Sequence, residues 1–109
     1  MVVFSIKPQR LNDSLGELGQ IGETAQGMMR LAFSPEDLAG RKYVSDLMKN
    51  AGMKIRIDSA GNLIGLKPGT NPDLPSIAVG SHTDTVPHGG KYDGALGVLS
   101  AIECLSLIH

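Results

Sequence analysis

Residues 76–98 read SIAVGSHTDTVPHGGKYDGALGV, and the fold depends on how this stretch is divided. The opening SIAVGSH is apolar with little alternation, the pattern of a strand covered on both faces of a sheet. From Gly94 onward the pattern is helical and runs to the end of the chain. Between the two lies a polar, glycine-bearing loop that holds His82, Asp84, His88 and Asp93. A strand end, a loop and a helix start together make the usual site position in open α/β sheets, outside the carboxyl ends of the strands.

Working outward, the preceding segments supply two helices and a hairpin. Leu11, Leu15, Leu18 and Ile21 are spaced by four, three and three, which predicts a helix over residues 9–22. Gly22 and Gly27 interrupt it, and residues 22–33 read as a loop with Arg30 between apolar neighbours. Ser34, Pro35 and Asp37 form a helix start with a cap, a proline at the first position and an acid three residues on. Leu38, Val44, Leu47, Met48 and Ala51 mark the buried face of that second helix, and Asn50 and Gly52 fit its end. Met53, Ile55 and Ile57 then alternate with Lys54, Arg56 and Asp58, a turn follows at residues 59–62, and NLIGLK returns as the partner strand of a hairpin. PGTNPDLP is surface punctuation.

The predicted order is therefore α, α, β-hairpin, β, loop, α, an α/β chain. The last helix is apolar around most of its circumference, so it calls for cover on every side. One hairpin, one strand and two helices do not provide that cover, and the expectation is the front part of a larger α/β domain.

Composition removes several function classes. The chain has 109 residues, with 10 basic and 11 acidic side chains and a formal net charge of −1. This gives no electrostatic footprint for nucleic acid or an anionic membrane. Two Tyr and two Phe offer no stacking platform for bases. The apolar run ALGVLSAIECLSLI falls short of the ~20 residues of a membrane span and carries Glu103. No secretion signal is evident at the N-terminus. A single cysteine rules out an internal disulfide and points to a reducing, cytoplasmic setting. Cys104 reads as a small core residue, and His109 as a frayed terminal one.

The loop residues suit metal chemistry. Neutral imidazole and carboxylate are ligands for zinc or a similar divalent ion. Asp84 could bind an ion itself, or accept a hydrogen bond from the second ring nitrogen of His82 and fix its tautomer. Asp93 could face two ions with its two oxygens, or simply cap the following helix. His88 reads as a solvated loop residue, with a small mononuclear module of His82, Asp84 and His88 as an alternative. A phosphate loop is excluded because Thr85 and Tyr92 stand where Gly and Ser or Thr are required. No serine occupies a Gly-x-Ser-x-Gly elbow.

Taken whole, GSHTDTVPHGGKYDGALGV resembles the first metal motif of the N-carbamoyl-L-amino-acid hydrolase and allantoate amidohydrolase family, within the wider group of dinuclear metal aminoacylases and carboxypeptidases. Gln20-Ile21-Gly22, Arg30-Leu31-Ala32-Phe33-Ser34 and the turn Asp58, Ala60-Gly61-Asn62-Leu63 carry the same likeness. The resemblance implies a partial three-layer α/β/α metallohydrolase catalytic domain, with residues 1–109 as its N-terminal fragment. It implies His82 as a terminal metal ligand, Asp84 as the partner that orients His82, and Asp93 as the bridging carboxylate, followed by a cis bond to Gly94. It implies two divalent ions, zinc or manganese, and a small-molecule substrate, an N-carbamoyl-L-amino acid or an allantoate-like ureido acid. A related aminoacylase or dipeptidase activity is an alternative.

The chain departs from that family in what it lacks. No Glu-Glu pair occurs, and Glu17, Glu23, Glu36 and Glu103 each stand alone. The later ligand histidines and the dimerisation domain are missing too. The expectation is a fragment inactive by itself, with weak or no metal binding of its own. A non-enzymatic protein that associates with itself or a partner through its exposed apolar surface is the competing reading.

Overall fold

The computed structural model describes residues 3–108; the expectation for His109 lies outside them. The elements are α1 (Pro8–Leu18), β1 (Glu23–Thr24), β2 (Gly27–Met28), α2 (Pro35–Asn50), β3 (Lys54–Ile57), β4 (Leu63–Leu66) and α3 (Ala95–Ser106). The described residues form a small α/β fold of three helices and two antiparallel two-stranded sheets. Helix α1 ends at Leu18, earlier than the apolar spacing suggested, and Ile21 lies in the turn that follows. The expected loop at residues 22–33 contains the short β1–β2 hairpin, closed by Glu23 opposite Met28.

Helix α2 begins as its local chemistry dictates. The Ser34 hydroxyl accepts a hydrogen bond from the Asp37 N–H at 3.1 Å. The Asp37 carboxylate reaches back to accept one from the Phe33 N–H at 3.0 Å. The buried face differs from expectation. Leu38 is 70% exposed, and the inward face begins with Asp37 and Gly40 before Val44. The reason is Arg30, whose side chain lies against Gly40: a Cβ at residue 40 would stand 2.8 Å from Arg30 Cδ.

The β3–β4 hairpin pairs Lys54 with Leu66 and Ile57 with Leu63. Its turn is held by Asp58, whose carboxylate accepts from the N–H groups of Ala60 and Asn62. Met53 is buried, yet Ile57 at the far end is exposed, so the expected alternation holds only where the hairpin lies under α2.

The core joins Leu15 and Leu18 of α1, Val44 of α2, Met53, and Ala95, Val98, Leu99 and Ile102 of α3. Two polar clamps reinforce it. Glu103 of α3 is buried and accepts hydrogen bonds from the Lys7 N–H and the Arg10 guanidinium. The Lys67 ammonium donates to the carbonyls of Ala51 and Leu105, where a positive charge favours the ends of α2 and α3.

Two expectations fail here. Residues 76–82 form no strand, and Ile77 is 99% exposed. A strand needs neighbouring backbone to satisfy its N–H and C=O groups, and the described residues place none beside this segment. Cys104 is exposed rather than part of the core, because α3 packs through the face of Val98, Leu99 and Ile102. The opposite face shows Leu96 to solvent as well. The molecule is accordingly a slab of 47 × 34 × 18 Å. Its radius of gyration is 14.7 Å, against about 13 Å for a compact chain of this length.

Candidate functional site

The loop between the extended segment and α3 is pinned from one side. Met28 and Gly89 exchange backbone hydrogen bonds at 2.8 and 3.0 Å, tying the loop to β2. Further in, the Thr85 N–H donates to the Arg30 carbonyl at 2.7 Å, and the Arg30 N–H donates to the Thr85 hydroxyl at 3.0 Å. Thr85 is buried, so this double contact is shielded from water.

At the other end the chain turns sharply into α3. Gly94 has φ 70° and ψ −51°, and the Ala95 N–H donates to the Asp93 carbonyl at 2.8 Å. This is a γ-turn in the strained positive-φ form, which glycine tolerates best. Glycine is required on a second count, since a Cβ there would stand 2.5 Å from ring atoms of His82. The Asp93–Gly94 bond is trans, against the expected cis form; the turn is made by the Gly94 dihedrals instead. Asp93 makes no side-chain cap on α3, which leaves its carboxylate free to face the loop.

Three of the predicted residues come together. His82 lies between two carboxylates: Nδ1 is 3.4 Å from Asp84 Oδ1 and Nε2 is 3.5 Å from Asp93 Oδ2. The nearest partner of Nδ1 is the Asp84 backbone carbonyl, at 3.0 Å. A proton on Nδ1 donated to that carbonyl leaves the Nε2 lone pair facing Asp93. His82 and Asp93 are both exposed, so the site opens to solvent. His88 does not join them. Its backbone takes φ 54°, its N–H points to the Met29 sulfur at 3.4 Å, and no hydrogen bond or ion pair connects its ring to the other three among the described residues.

The donor types and spacing suit a divalent cation. Two ligands about 2.0–2.2 Å from one ion at a tetrahedral angle are about 3.4 Å apart, close to the 3.5 Å between His82 Nε2 and Asp93 Oδ2. The number of donors falls short. Among the described residues no three His, Cys, Asp or Glu side chains are arranged to hold an ion.

Arg30 and Thr85 were not legible as site residues. Arg30 is completely buried, and burial pushes its guanidinium pKa down while the carboxylates of Asp37 and Asp84 oppose that shift. Its place between Met28, Met29 and Leu31 was the available signal: a charge set in an apolar run at a predicted loop.

The sequence and the overall fold are shared with proteins of known class. The chain is 45% identical over 109 residues to the N-carbamoyl-L-amino-acid amidohydrolase of Pseudomonas sp. (strain NS671), covering 99% of this chain and 26% of that protein. The chain is a homologue of these amidohydrolases. The ureidoglycolate hydrolase of Arabidopsis thaliana is 37% identical over 106 residues, covering 96% of this chain and 22% of its own length. A hydantoinase/carbamoylase family amidase from Burkholderia ambifaria superposes with a TM-score of 0.94 at 34% identity, over 98% of this chain and 27% of that one. No protein-family model matches. The homology therefore extends over nearly all of these residues, and the chain spans about a quarter of the length of the amidohydrolases it matches. Among the described residues no helix is long and apolar enough to cross a membrane.

Proposed function

We propose that these residues form one wall of the catalytic site of a metal-dependent amidohydrolase. Its substrates would be N-carbamoyl-L-amino acids or ureido acids, cleaved at a linear C–N bond. The observation that carries this reading is the His82 ring held between Asp84 and Asp93, in a chain homologous to amidohydrolases along its whole length. His82 and Asp93 would hold the metal, zinc or manganese, with Asp93 able to serve two ions through its two oxygens. Asp84 would orient the ring from the Nδ1 side. Divalent ions bound there would polarise the substrate carbonyl and lower the pKa of a bound water. The remaining ligands and a general base would come from residues outside these 109, as would the contacts that select the substrate. The chain is then the N-terminal fragment of a catalytic domain, inactive alone. Its single cysteine fits a reducing compartment, and we place the protein in the cytoplasm on that ground.

The test is hydrolysis by the polypeptide encoded by the full reading frame that contains these residues. Release of ammonia from N-carbamoyl-L-amino acids and allantoate is expected with zinc or manganese. His82→Ala and Asp93→Ala should each remove it, and the 109 residues alone should show none. Wild-type turnover in either variant would refute the assignment.

The exposed run of Leu74, Ile77 and Val79 favours a second reading for the isolated chain, self-association through apolar surface. A single monomer boundary in sedimentation velocity at high concentration would remove it.

A further inference from the structure

Burying a guanidinium is costly unless its donors are met, so the partners of Arg30 show what its burial achieves. They are main-chain oxygens on two sides. Nη1 donates to the carbonyls of Leu18 and Ile21, at 2.8 and 2.7 Å, where α1 ends. Nε donates to the Thr83 carbonyl at 2.7 Å. With its main-chain groups bonded to the N–H and the hydroxyl of Thr85, Arg30 grips the residue on each side of Asp84. Among the described residues only Nη2 finds no partner. Helix α2 is shaped to admit this side chain at Gly40.

We infer that Arg30 is a positioning residue for the His82–Asp84–Asp93 cluster, fixing residues 83–85 against the end of α1 and so setting where His82 and Asp84 meet. A rigid, forked donor is required. A lysine would place three donors at one point on a flexible stem and would not serve Leu18, Ile21 and Thr83 together. The functional consequence rests on the proposed metal reading; the mechanical one does not.

The experiment uses the polypeptide encoded by the full reading frame that contains these residues, labelled for NMR, with zinc as the probe. Amide exchange is followed at Thr85, Gly89 and the core residue Leu99, and zinc binding through the His82 ring signals. Arg30→Lys should lower protection at Thr85 about tenfold relative to Leu99 and weaken zinc binding about tenfold, the scale typical of residues that orient a ligand. Val44→Ala, a core truncation, should lower protection throughout and leave the zinc midpoint unchanged. A uniform loss of protection in Arg30→Lys, or an unchanged Thr85, would overturn the inference. Should Arg30→Lys not fold, Thr85→Val removes the hydroxyl that Arg30 N–H needs. Loss of protection confined to the loop, restored by Thr85→Ser, supports the inference, and uniform loss or none overturns it. Should the wild-type His82 signals ignore zinc in the full polypeptide, the metal reading fails, and the exchange comparison alone decides the role of Arg30.

Discussion

Glu103 lies within the most apolar helix of the chain, and its replacement tests what joins α1 to α3. Its carboxylate is buried and accepts three hydrogen bonds: from the Lys7 N–H at 2.8 Å, Arg10 Nε at 2.7 Å and Arg10 Nη2 at 3.0 Å. Glu103→Ala removes one methylene together with the carboxylate, and the methylene is worth about 0.8 kcal/mol if buried. It also strands the Lys7 N–H, about 1 kcal/mol where water is excluded. Arg10 is 44% exposed and can return to water, so the ion pair adds little to that sum. The expected loss is therefore about 2 kcal/mol. Glu103→Gln keeps the methylenes and an acceptor for Lys7, and should cost about 1 kcal/mol.

The pH dependence identifies the charge. Hydrogen bonding from Arg10, aided by Lys7, holds the Glu103 carboxyl below its ordinary value against the opposing effect of burial. A group with a lowered folded pKa contributes stability above its unfolded value, about 4.3, and loses it as pH falls through the folded value. Urea unfolding of wild type and Glu103→Gln from pH 7 downward should give a constant stability gap to about pH 5 that then closes. A gap of the same size at pH 7 and pH 3, or none at pH 7, would refute the reasoning.

Three further outcomes are expected. Burial, with the hydrogen bond to Glu17 next, pushes the Tyr43 phenol up to about 12, so absorbance titration should find phenolate forming near there. Because the folded pKa is raised, stability should be lost as pH rises from the ordinary tyrosine range toward that value; a Tyr43 that ionises with free tyrosine contradicts this. Ser34→Ala removes the cap on α2 and should cost about 1 kcal/mol in urea unfolding, while Ser34→Asp should restore most of it. Gly94→Ala forces a side chain into a positive-φ turn and onto the His82 ring, so it should cost more than about 1 kcal/mol and shift the His82 ring signals; unaltered His82 signals would count against the close approach.

What the sequence disclosed follows the range of the interactions involved. The start of α2 was readable because Ser34, Pro35 and Asp37 settle it among themselves. The β3–β4 hairpin was readable because Asp58 and Asn62 close its turn locally. Residues 76–82 have the composition of a buried strand, yet a strand is completed by neighbours, and composition does not supply them. The burial of Arg30 depends on carbonyls at residues 18, 21 and 83, far apart in sequence. Glu103 looked like an interruption in an apolar helix, and its meaning appears only opposite Arg10, 93 residues away. The candidate site divides the same way. The meeting of His82 with Asp84 is short-range, its approach to Asp93 depends on the Gly94 turn, and the residues that hold the loop come from elsewhere in the chain.

These two kinds of restraint act on opposite ends of the same loop. On the near side, residues 83–89 are fastened by Arg30, Thr85 and the Met28–Gly89 pair, all within the described fold. On the far side, residues 76–81 reach His82 uncovered, with Ile77 and Val79 in solvent. Full burial of each such side chain stabilises by about 1.5–3 kcal/mol, so pairing this segment into a sheet would stabilise the chain by several kcal/mol. That gain would be coupled to the site, because a segment fixed at residue 81 fixes the backbone that carries His82. The near-side contacts already hold Asp84 without it. On the proposed reading, the loop is therefore shaped first from within the chain, and the exposed segment is where docking of the remaining catalytic wall would lock the His82 ring in place.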